Sequence, residues 1–397
     1  MSGHSKHGRK KMQNKNLTNI TSLLAAFLLL LPIARATADT VEIYTPESLT
    51  DVSVNSATLA GERRTISVSV LSTTGKKVMV AGKLENPAGV KMEIVNNGRS
   101  PVIPVMHDGY FHAGIVLSLG DNLLEVRWKR GDKAWNSKKL SLFRSSKLDG
   151  GVSSNYAPYV FHNDENEGRC GGCHQMRLTQ EDIESGMEKN CLTCHASIAE
   201  NVFVHGPVTV GICTVCHDPE STPNKYKVQD ADDVLCYGCH TDRDETDSKK
   251  KLLHGPVGAG LCTVCHDPHS SPFEYQLVKS KNTICILCHQ EDADRWSKEE
   301  YLHPPFRDGN CGGCHDPHSS DYKYNLKAPR ETICALCHEL PVPGHLHPVD
   351  VTPQFTLPED FQLNEQGRTM CITCHDPHGA KGPGMTRGVG CDGCHPK

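Results

Sequence analysis

The residues best able to do chemistry in this chain form ten copies of the sequence Cys-x-x-Cys-His. In each copy the two thiols and the imidazole stand at positions i, i+3 and i+4, which share one face of a helical turn. Thiols on that face can bond to the two vinyl groups along one haem edge, while the imidazole meets the iron from one side. The spacing therefore predicts covalent haem attachment, for which it is the known sequence signature.

These motifs contain all twenty cysteines of the chain. The cysteines predicted to bind haem are Cys170, Cys173, Cys191, Cys194, Cys213, Cys216, Cys236, Cys239, Cys262, Cys265, Cys285, Cys288, Cys311, Cys314, Cys334, Cys337, Cys371, Cys374, Cys391 and Cys394. The histidines predicted to bind iron from the proximal side are His174, His195, His217, His240, His266, His289, His315, His338, His375 and His395. The expected cofactor is ten covalently attached haem c groups, each with one iron.

Two other uses of paired cysteines compete with haem attachment. Structural zinc sites take four ligands from Cys and His, and cysteines of exported proteins commonly form disulfides. Neither use requires a histidine directly after every pair. Histidine accounts for only 23 of the 397 residues, so its presence after all ten pairs favours haem attachment over both alternatives.

The motifs are organised as a fivefold repeat, whose units we call blocks one to five. Each block has a leading histidine followed by two motifs, and the leading histidines are His162, His205, His254, His303 and His347. Repeats at a fixed period indicate stacked structural units. So few residues separate the motifs that we expect one-turn helices at the motifs, irregular backbone between them and a core made mostly of haem.

Nine histidines outside the motifs are predicted to bind iron from the distal side. They are the five leading histidines, the Asp-Pro-His histidines His269, His318 and His378 that follow a motif directly, and His345, which competes with His347 two residues later. An Asp-Pro-His histidine lies too close to its own proximal histidine to cross that haem's plane. We therefore expect it to bind a neighbouring haem and to lock adjacent haems together.

Ten irons with two histidines each need ten distal ligands, one more than the haem-motif region offers. Arg177 and Glu220 stand in blocks one and two where the other blocks have the Asp-Pro-His histidine. We therefore expect one haem of block one or two to lack a histidine partner from its own region. It would be methionine-ligated, five-coordinate or capped by the N-terminal domain, whose His112 could reach a docked haem.

The cysteine-free part of the chain has the pattern of a small all-β domain. Apolar residues alternate with their neighbours, as in half-buried strands, at Ile66, Val68 and Val70 and at Phe111, Ala113, Ile115 and Leu117. Asn97-Gly98 and Asp108-Gly109 supply turns, because these residue types tolerate positive φ. The predicted fold is multidomain, with an all-β sandwich over residues 39–146, a linker over 147–159, and a haem-packed region of short helices and little regular secondary structure over 160–397.

Both parts resemble known families. Residues 162–397, through Cys-x-x-Cys-His-Asp-Pro-His, resemble the doubled-CxxCH family of multihaem c-type cytochromes. That resemblance implies electron transfer between the inner membrane, the periplasm and the cell exterior. Blocks one and two depart from it, since they lack the Asp-Pro-His histidine. The stretches Asp108-Gly109-Tyr110-Phe111 and Gly120-Asp121-Asn122-Leu123 make the N-terminal domain similar to bacterial immunoglobulin-like domains.

The first 38 residues are typical of a signal peptide. A basic segment precedes the eleven-residue apolar run Leu23–Ile33, and Ala36-Thr37-Ala38 offers a cleavage site. Eleven apolar residues are too few to span a bilayer, which takes roughly 20, so we expect no membrane span after cleavage. Cleavage removes six basic residues and no acidic ones, which changes the net charge from −5 to −11. This acidity argues against nucleic-acid binding, which needs a basic surface.

The ligand pattern favours an electron carrier in the periplasm or at the cell surface. Iron with two axial histidines has no position left for a small substrate, so it can only exchange electrons. The expected partners are other redox proteins, such as a membrane quinol-oxidising complex or an outer-membrane conduit. The alternatives are a multihaem reductase of a small oxyanion such as nitrite, which needs an open iron, and a surface docking module that carries haems.

Overall fold

The structure, a computed structural model, describes residues 39–46, 52–57, 63–68, 71–73, 75–146, 156–185, 190–222, 224–340, 349–354, 356–358 and 361–388. The expected signal peptide lies outside the described residues. In chain order the strands of the N-terminal region are β1 (Val41–Thr45), β2 (Val52–Ala57), β3 (Arg63–Val68), β4 (Leu71–Thr73), β5 (Lys77–Leu84), β6 (Val90–Asn96), β7 (Val105–His107), β8 (Tyr110–Val116), β9 (Gly120–Arg130), β10 (Asn136–Arg144) and β11 (Ala157–Pro158).

Two sheets pack face to face in this region, as the alternating pattern predicts. One sheet has the strand order β1-β5-β8-β7 and the other β11-β4-β10-β9-β6, while β2 pairs with β3. The inner faces share one apolar core, in which Phe111 and Ile115 of the first sheet meet Leu124 and Leu142 of the second. These four side chains are at most 2% exposed, so the sandwich is held together by ordinary burial of apolar surface.

The predicted turns occur where the sequence places them. Asp108 and Gly109 have φ values of 49° and 83°, and His107 pairs with Tyr110. A two-residue hairpin turn of this kind needs positive φ at both positions. Asn97 and Gly98 likewise have φ values of 49° and 69°.

The second sheet continues into the segment that the sequence suggested as a linker. Strand β11 runs parallel to β4, and Ala157 is 7% exposed in the sandwich core. The Tyr159 hydroxyl donates to the Met79 carbonyl at 3.0 Å. Residues 156–159 are therefore attached to the sandwich through both backbone and side-chain contacts.

Short elements make up the haem-motif region, as expected. The α-helices are α1 (Asp164–Cys170), α2 (Gln180–Glu184), α3 (Leu192–His195), α4 (Gly206–Val210), α5 (Asp232–Tyr237), α6 (Thr241–Ser248), α7 (Gly255–Gly258), α8 (Gln290–Trp296), α9 (Pro304–Arg307) and α10 (Cys371–Cys374). The strands, of two residues each, are β12 (Phe203–Val204), β13 (His217–Asp218), β14 (Lys227–Val228), β15 (Leu252–Leu253), β16 (Ser270–Ser271), β17 (Tyr301–Leu302), β18 (Ser319–Ser320) and β19 (Gly379–Ala380). The 3-10 helices are Ala196–Ile198, Cys213–Val215, Cys262–Val264, Glu274–Gln276, Cys285–Leu287, Cys311–Gly313, Lys323–Asn325, Ile333–Leu336 and Pro383–Met385.

Apolar side chains are buried very unevenly along the chain. Within the described residues beyond 160, the buried apolar residues are Ile333, Phe361, Met370 and Ala380. The sandwich core is several times larger. Side-chain packing of the usual kind therefore organises the N-terminal region and contributes little to the haem-motif region. No helix of the described part of the chain is long and apolar enough to cross a membrane.

Candidate functional site

Each described motif forms a single helical turn that brings its three reactive side chains together. In block one the His174 amide donates to the Cys170 carbonyl at 3.0 Å, and in block three the His266 amide donates to the Cys262 carbonyl at 3.0 Å. The same bond recurs in later motifs, for example from His338 to the first cysteine of its motif at 2.9 Å. This i to i+4 bond places both thiols and the imidazole on one face.

A backbone carbonyl orients the histidine that ends the first motif of blocks two to five. The Nδ1 atoms of His217, His266, His315 and His375 lie 2.7 Å from the carbonyl oxygens of Tyr226, Tyr275, Tyr324 and Gly384, respectively. A hydrogen bond at Nδ1 fixes the tautomer and leaves Nε2 available for a metal. These carbonyls are thus supporting groups of the candidate iron sites.

The four acceptor residues share an unusual backbone conformation. Their φ values are 59° for Tyr226, 60° for Tyr275, 62° for Tyr324 and 63° for Gly384. Glycine adopts this left-handed region without cost, whereas other residues rarely enter it. The sequence interpretation did not include these residues. Their fixed position, nine residues after the histidine that each one supports, was the signal that could have found them.

Histidines from distant parts of the chain face each other in pairs. Seven such pairs occur among the described residues, with ring centres 6.0–6.2 Å apart and ring planes 10–30° apart. Two imidazoles on opposite sides of one metal, each with a metal–nitrogen bond of about 2 Å, have ring centres roughly 6 Å apart. The pairs therefore have the spacing of two axial ligands of one iron.

The pairs obey two rules. A leading histidine faces the second motif of its own block, in the pairs His162–His195, His205–His240, His254–His289 and His303–His338. An Asp-Pro-His histidine faces the first motif of the preceding block, in the pairs His269–His217, His318–His266 and His378–His315. Each block from two to four thus receives one histidine from the block that follows it.

Short strand pairs, which we call clamps, hold the two distal histidines of a block together. Strand β12 pairs with β16, β15 with β18, and β17 with β19. Next to the first clamp the His205 amide donates to the His269 carbonyl at 2.9 Å, and His205 Nδ1 lies 3.0 Å from the Pro268 carbonyl. The other clamps repeat the amide bond, from His254 to His318 at 2.8 Å and from His303 to the Asp-Pro-His histidine of block five at 3.0 Å. One clamp therefore positions side chains on two neighbouring sites.

The electrostatic environment keeps several of these imidazoles in the form that binds metals. Burial is the main cause that lowers the pKa of His162, His195, His217, His315 and His318. A neutral imidazole has the free lone pair that a metal ligand needs. The described sites are thus suited to bind iron near neutral pH.

Cysteines of consecutive motifs approach each other along the chain of sites. Between blocks the first cysteines interact electrostatically, in the pairs Cys236–Cys262, Cys285–Cys311 and Cys334–Cys371. Within blocks, burial and then the second cysteine of the following motif raise the pKa of Cys216, Cys265 and Cys314. None of the eighteen described cysteines forms a disulfide. From block two to the first motif of block five, motifs that are neighbours in sequence are therefore neighbours in space.

The two predicted sites of block five are described incompletely, at His375, or not at all, at His395. His345, His347, Cys391, Cys394 and His395 lie outside the described residues. None of the seven imidazole pairs contains His174. Across the described ranges, no three side chains of His, Cys, Asp or Glu are grouped so that they could hold one metal ion.

Comparison with known proteins finds a family match in the haem-motif region. The family model described as "Doubled CXXCH motif" matches residues 205–245, 254–294, 303–340 and 364–397. These four segments correspond to blocks two to five. No curated protein matches the chain.

Several solved structures match a quarter of this chain or slightly more at most. The fibronectin(III)-like modules of Clostridium thermocellum CbhA are 10% identical, with 27% of this chain and 98% of that chain covered, at a TM-score of 0.19. The glucan-utilisation protein SGBP-B of Bacteroides ovatus is 11% identical over 27% of this chain and only 24% of its own, at a TM-score of 0.18. CopC of Methylosinus trichosporium OB3b is 13% identical, with 19% of this chain and 82% of that chain covered, at a TM-score of 0.15. These TM-scores are too low to establish a shared fold.

Proposed function

We propose, from the premise that residues 205–397 are a doubled-CXXCH region of the multihaem c-type cytochrome kind, that the chain relays electrons through ten covalently bound haems. Block one has the same two motifs and the same leading histidine, so we include it in the relay. We retain the division into an N-terminal sandwich and a haem region from residue 160 onward as part of this proposal, with residues 156–159 counted with the sandwich rather than with the linker.

The donor set of the described sites fits haem c. Each described motif presents two thiols and one imidazole on one face of a turn. The opposite imidazole lies at the distance that a shared iron requires, and acceptors at Nδ1 leave Nε2 free. Bound haem would supply one-electron chemistry at its iron, with a potential tuned by the axial ligands and their surroundings.

The observation that carries the proposal is the series of facing imidazole pairs. Because two imidazoles would hold the iron at each of the seven paired sites, the chain would leave no open position for a substrate there. The cysteine contacts hold consecutive sites side by side. A row of closed, adjacent redox sites serves electron transfer rather than transformation of a substrate.

We assign the two remaining distal histidines, one by the rule for leading histidines and the other by elimination. The leading histidine His347 would face His395, as leading histidines do in blocks one to four. His345 would then serve His375, the first motif of block five. All of these except His375 lie outside the described residues, and with them the haem-motif region supplies nine of the ten distal ligands.

The expected signal peptide, together with covalent haem, places the relay in an exported compartment, either the periplasm or the cell surface. Its partners would be other redox proteins, for instance a quinol-oxidising membrane complex on the donor side and an outer-membrane conduit on the acceptor side. The second candidate function is reduction of a small oxyanion such as nitrite. It is favoured by one observation, that His174 is absent from the seven imidazole pairs.

Intact mass and redox titration of the purified holoprotein test the proposal. We expect a mass that exceeds the mature polypeptide by ten haems, and a titration in which every haem is reduced over a spread of potentials. Five haems or fewer, or bound zinc, would contradict it. Turnover of nitrite with a reduced dye, at a rate far above that of the denatured protein, would favour the reductase instead.

A further inference from the structure

The pairing rules identify the site in block one that lacks a ligand. By the second rule, the first motif of a block is faced by the residue at the Asp-Pro-His position of the next block. For His174 that residue is Glu220, whose side chain is exposed. The position of Arg177 in block one would serve a preceding block, and the sandwich stands there instead. The shortfall therefore belongs to the haem attached at Cys170 and Cys173.

The sandwich contacts block one at two points, one next to each of its two motifs. The Arg169 guanidinium, one residue before Cys170, lies 5.0 Å above the Tyr44 ring. On the other side of the block, the Lys77 ammonium donates to the Ser197 hydroxyl at 2.9 Å. Ser197 follows the proximal histidine of the second motif by two residues. Contacts at both motifs fix this face of the sandwich against block one.

His112 lies on the docked face, between the two contact points. Strand β8 pairs with β5 in a register that places Tyr110, His112, Gly114 and Val116 opposite Lys83, Ala81, Met79 and Lys77, respectively. Residues two apart on a strand, and residues directly opposite across a pair, lie on one face of a sheet. His112 thus shares a face with Lys77 at one end and with Tyr110 at the other.

The side chains beside His112 on this face are tied to the two contacts with block one. The Tyr110 ring lies 6.4 Å from the Tyr44 ring that contacts Arg169. At the other end, a β-carbon on Gly114 would lie 2.2 Å from Lys77 Cε, so the glycine leaves the space through which Lys77 reaches Ser197. Burial and, after it, the charge of His174 hold the pKa of His112 below its ordinary value.

We propose that His112 is the distal iron ligand of the haem attached at Cys170 and Cys173, on the side opposite His174. This inference rests on the proposed function, since it assumes a haem at this motif. The bond needs only the lone pair of a neutral imidazole nitrogen. It completes the count of ten distal histidines and bonds the sandwich to the first site of the relay through the metal.

The test uses the full-length holoprotein and three variants, His112→Ala, His107→Ala and the double variant His112→Ala with Glu220→His. Low-temperature electron paramagnetic resonance counts high-spin iron, and carbon monoxide binding to the reduced protein counts open sites. In the wild type we expect ten low-spin haems. In His112→Ala one haem in ten should become high-spin and bind carbon monoxide. His107, which is 84% exposed on the neighbouring strand, is the matched control and should have no effect.

The double variant tests where the missing ligand would otherwise have come from. Glu220→His restores the Asp-Pro-His sequence of the later blocks, so the haem should return to the low-spin state. A high-spin haem in the wild type, or a His112→Ala spectrum identical to the wild type, would overturn the proposal. Neither result would change the intact mass of ten haems or the redox titration, which test the proposed electron relay independently.

His112→Met keeps the proposal testable if the alanine variant fails to fold. Methionine in this place would bind the iron through sulfur and produce the near-infrared charge-transfer band of methionine-ligated ferric haem. A residue that only stabilised the docked face would produce no such band, and its absence from a folded variant would overturn the assignment. Met176 borders the same cavity as His174, so the same band in the wild type would identify Met176 as the ligand instead.

Discussion

The imidazoles of His217 and His269 belong to different blocks, yet their ring centres lie 6.2 Å apart and their planes differ by only 10°. His217 ends the first motif of block two, and His269 follows the first motif of block three. The contact between blocks is therefore made by side chains that we assign to one iron. Changes at either residue should be visible in the spectrum of that iron.

Replacement of His269 by Ala should open one site without loss of its haem. The two thioether bonds to Cys213 and Cys216 are unaffected, so the intact mass should still show ten haems. One haem in ten should become high-spin and bind carbon monoxide. A loss of haem, or an unchanged spectrum, would show that His269 is not the ligand opposite His217.

The effect of substitutions at Tyr324 on stability should depend on the backbone conformation of this residue rather than on its phenol ring. Tyr324 is 66% exposed and has a φ of 62°, while its carbonyl accepts from His315 Nδ1. Tyr324→Gly should leave stability and redox potentials nearly unchanged. Tyr324→Val should lower the free energy of unfolding by about 1–2 kcal/mol, because a side chain branched at Cβ is strained in this region. Denaturant titration of the two holoproteins measures the difference, and equal losses would point to the ring instead.

Loss of both thiols of one motif should cost more than one haem. Replacement of Cys262 and Cys265 by Ser removes a cofactor from a region in which few apolar side chains are buried. Binding free energy is folding free energy in such a region, so the amount of protein recovered should fall and protease sensitivity should rise. A protease-resistant protein with nine haems, recovered at the wild-type level, would contradict this expectation.

The sandwich should fold without haem, and its stability should depend on where it is cut. Residues 39–160 include β11 and Tyr159, whereas residues 39–146 do not. The longer fragment should be more stable by about 2 kcal/mol, through burial of the Ala157 and Tyr159 side chains and the hydrogen bond from Tyr159 to Met79. We expect both fragments to unfold cooperatively on heating, with a higher transition temperature for residues 39–160. Equal stabilities would return residues 156–159 to the linker.

Asp247 should make the clamp between blocks three and four sensitive to acid. Its carboxylate accepts from the Ser319 hydroxyl of β18 at 2.5 Å and from Arg243 Nε at 2.9 Å. Burial acts to raise the pKa of Asp247, but the hydrogen bonds outweigh it, so the pKa lies below the ordinary value of 3.8.

A carboxyl whose pKa is lower in the folded state stabilises the fold fully above its unfolded pKa. That contribution disappears as the pH falls below 3.8 through the folded value. Asp247→Asn should therefore lose about 2 kcal/mol at neutral pH and differ little from wild type under strong acid. The exposed Asp242 of the same helix is a suitable control. A stability difference that does not depend on pH would exclude this role.

Much of this architecture follows from local sequence rules. Turn formation at Asp108-Gly109, burial of Phe111 and Ile115, and the one-turn helices at the motifs depend only on nearby residues. The predicted partner of His269 was a neighbouring haem, but the sequence did not specify that it is the preceding block rather than the following one. That choice depends on the pairing of β12 with β16, in which two residues on each side carry too little pattern to be recognised.

The carbonyls of Tyr226, Tyr275 and Tyr324 were missed for a related reason. Their role depends on a backbone angle, and a tyrosine in a sequence does not indicate a left-handed conformation. Gly384 at the fourth position shows that the side chain is dispensable there. The place of His112 depends on how the sandwich docks, which no repeat in the chain encodes.

The clamps also give the repeat a direction and a way to change its length. Because blocks three to five each place one histidine opposite the preceding block, blocks two to four are each completed by the block that follows. Removal of residues 254–302, one full period, would bring His318 opposite His217 and β18 beside β12, and would leave an eight-haem chain in phase. Internal duplication would lengthen it in the same way. Block one, whose first motif receives no histidine from block two, would keep its contact with the sandwich.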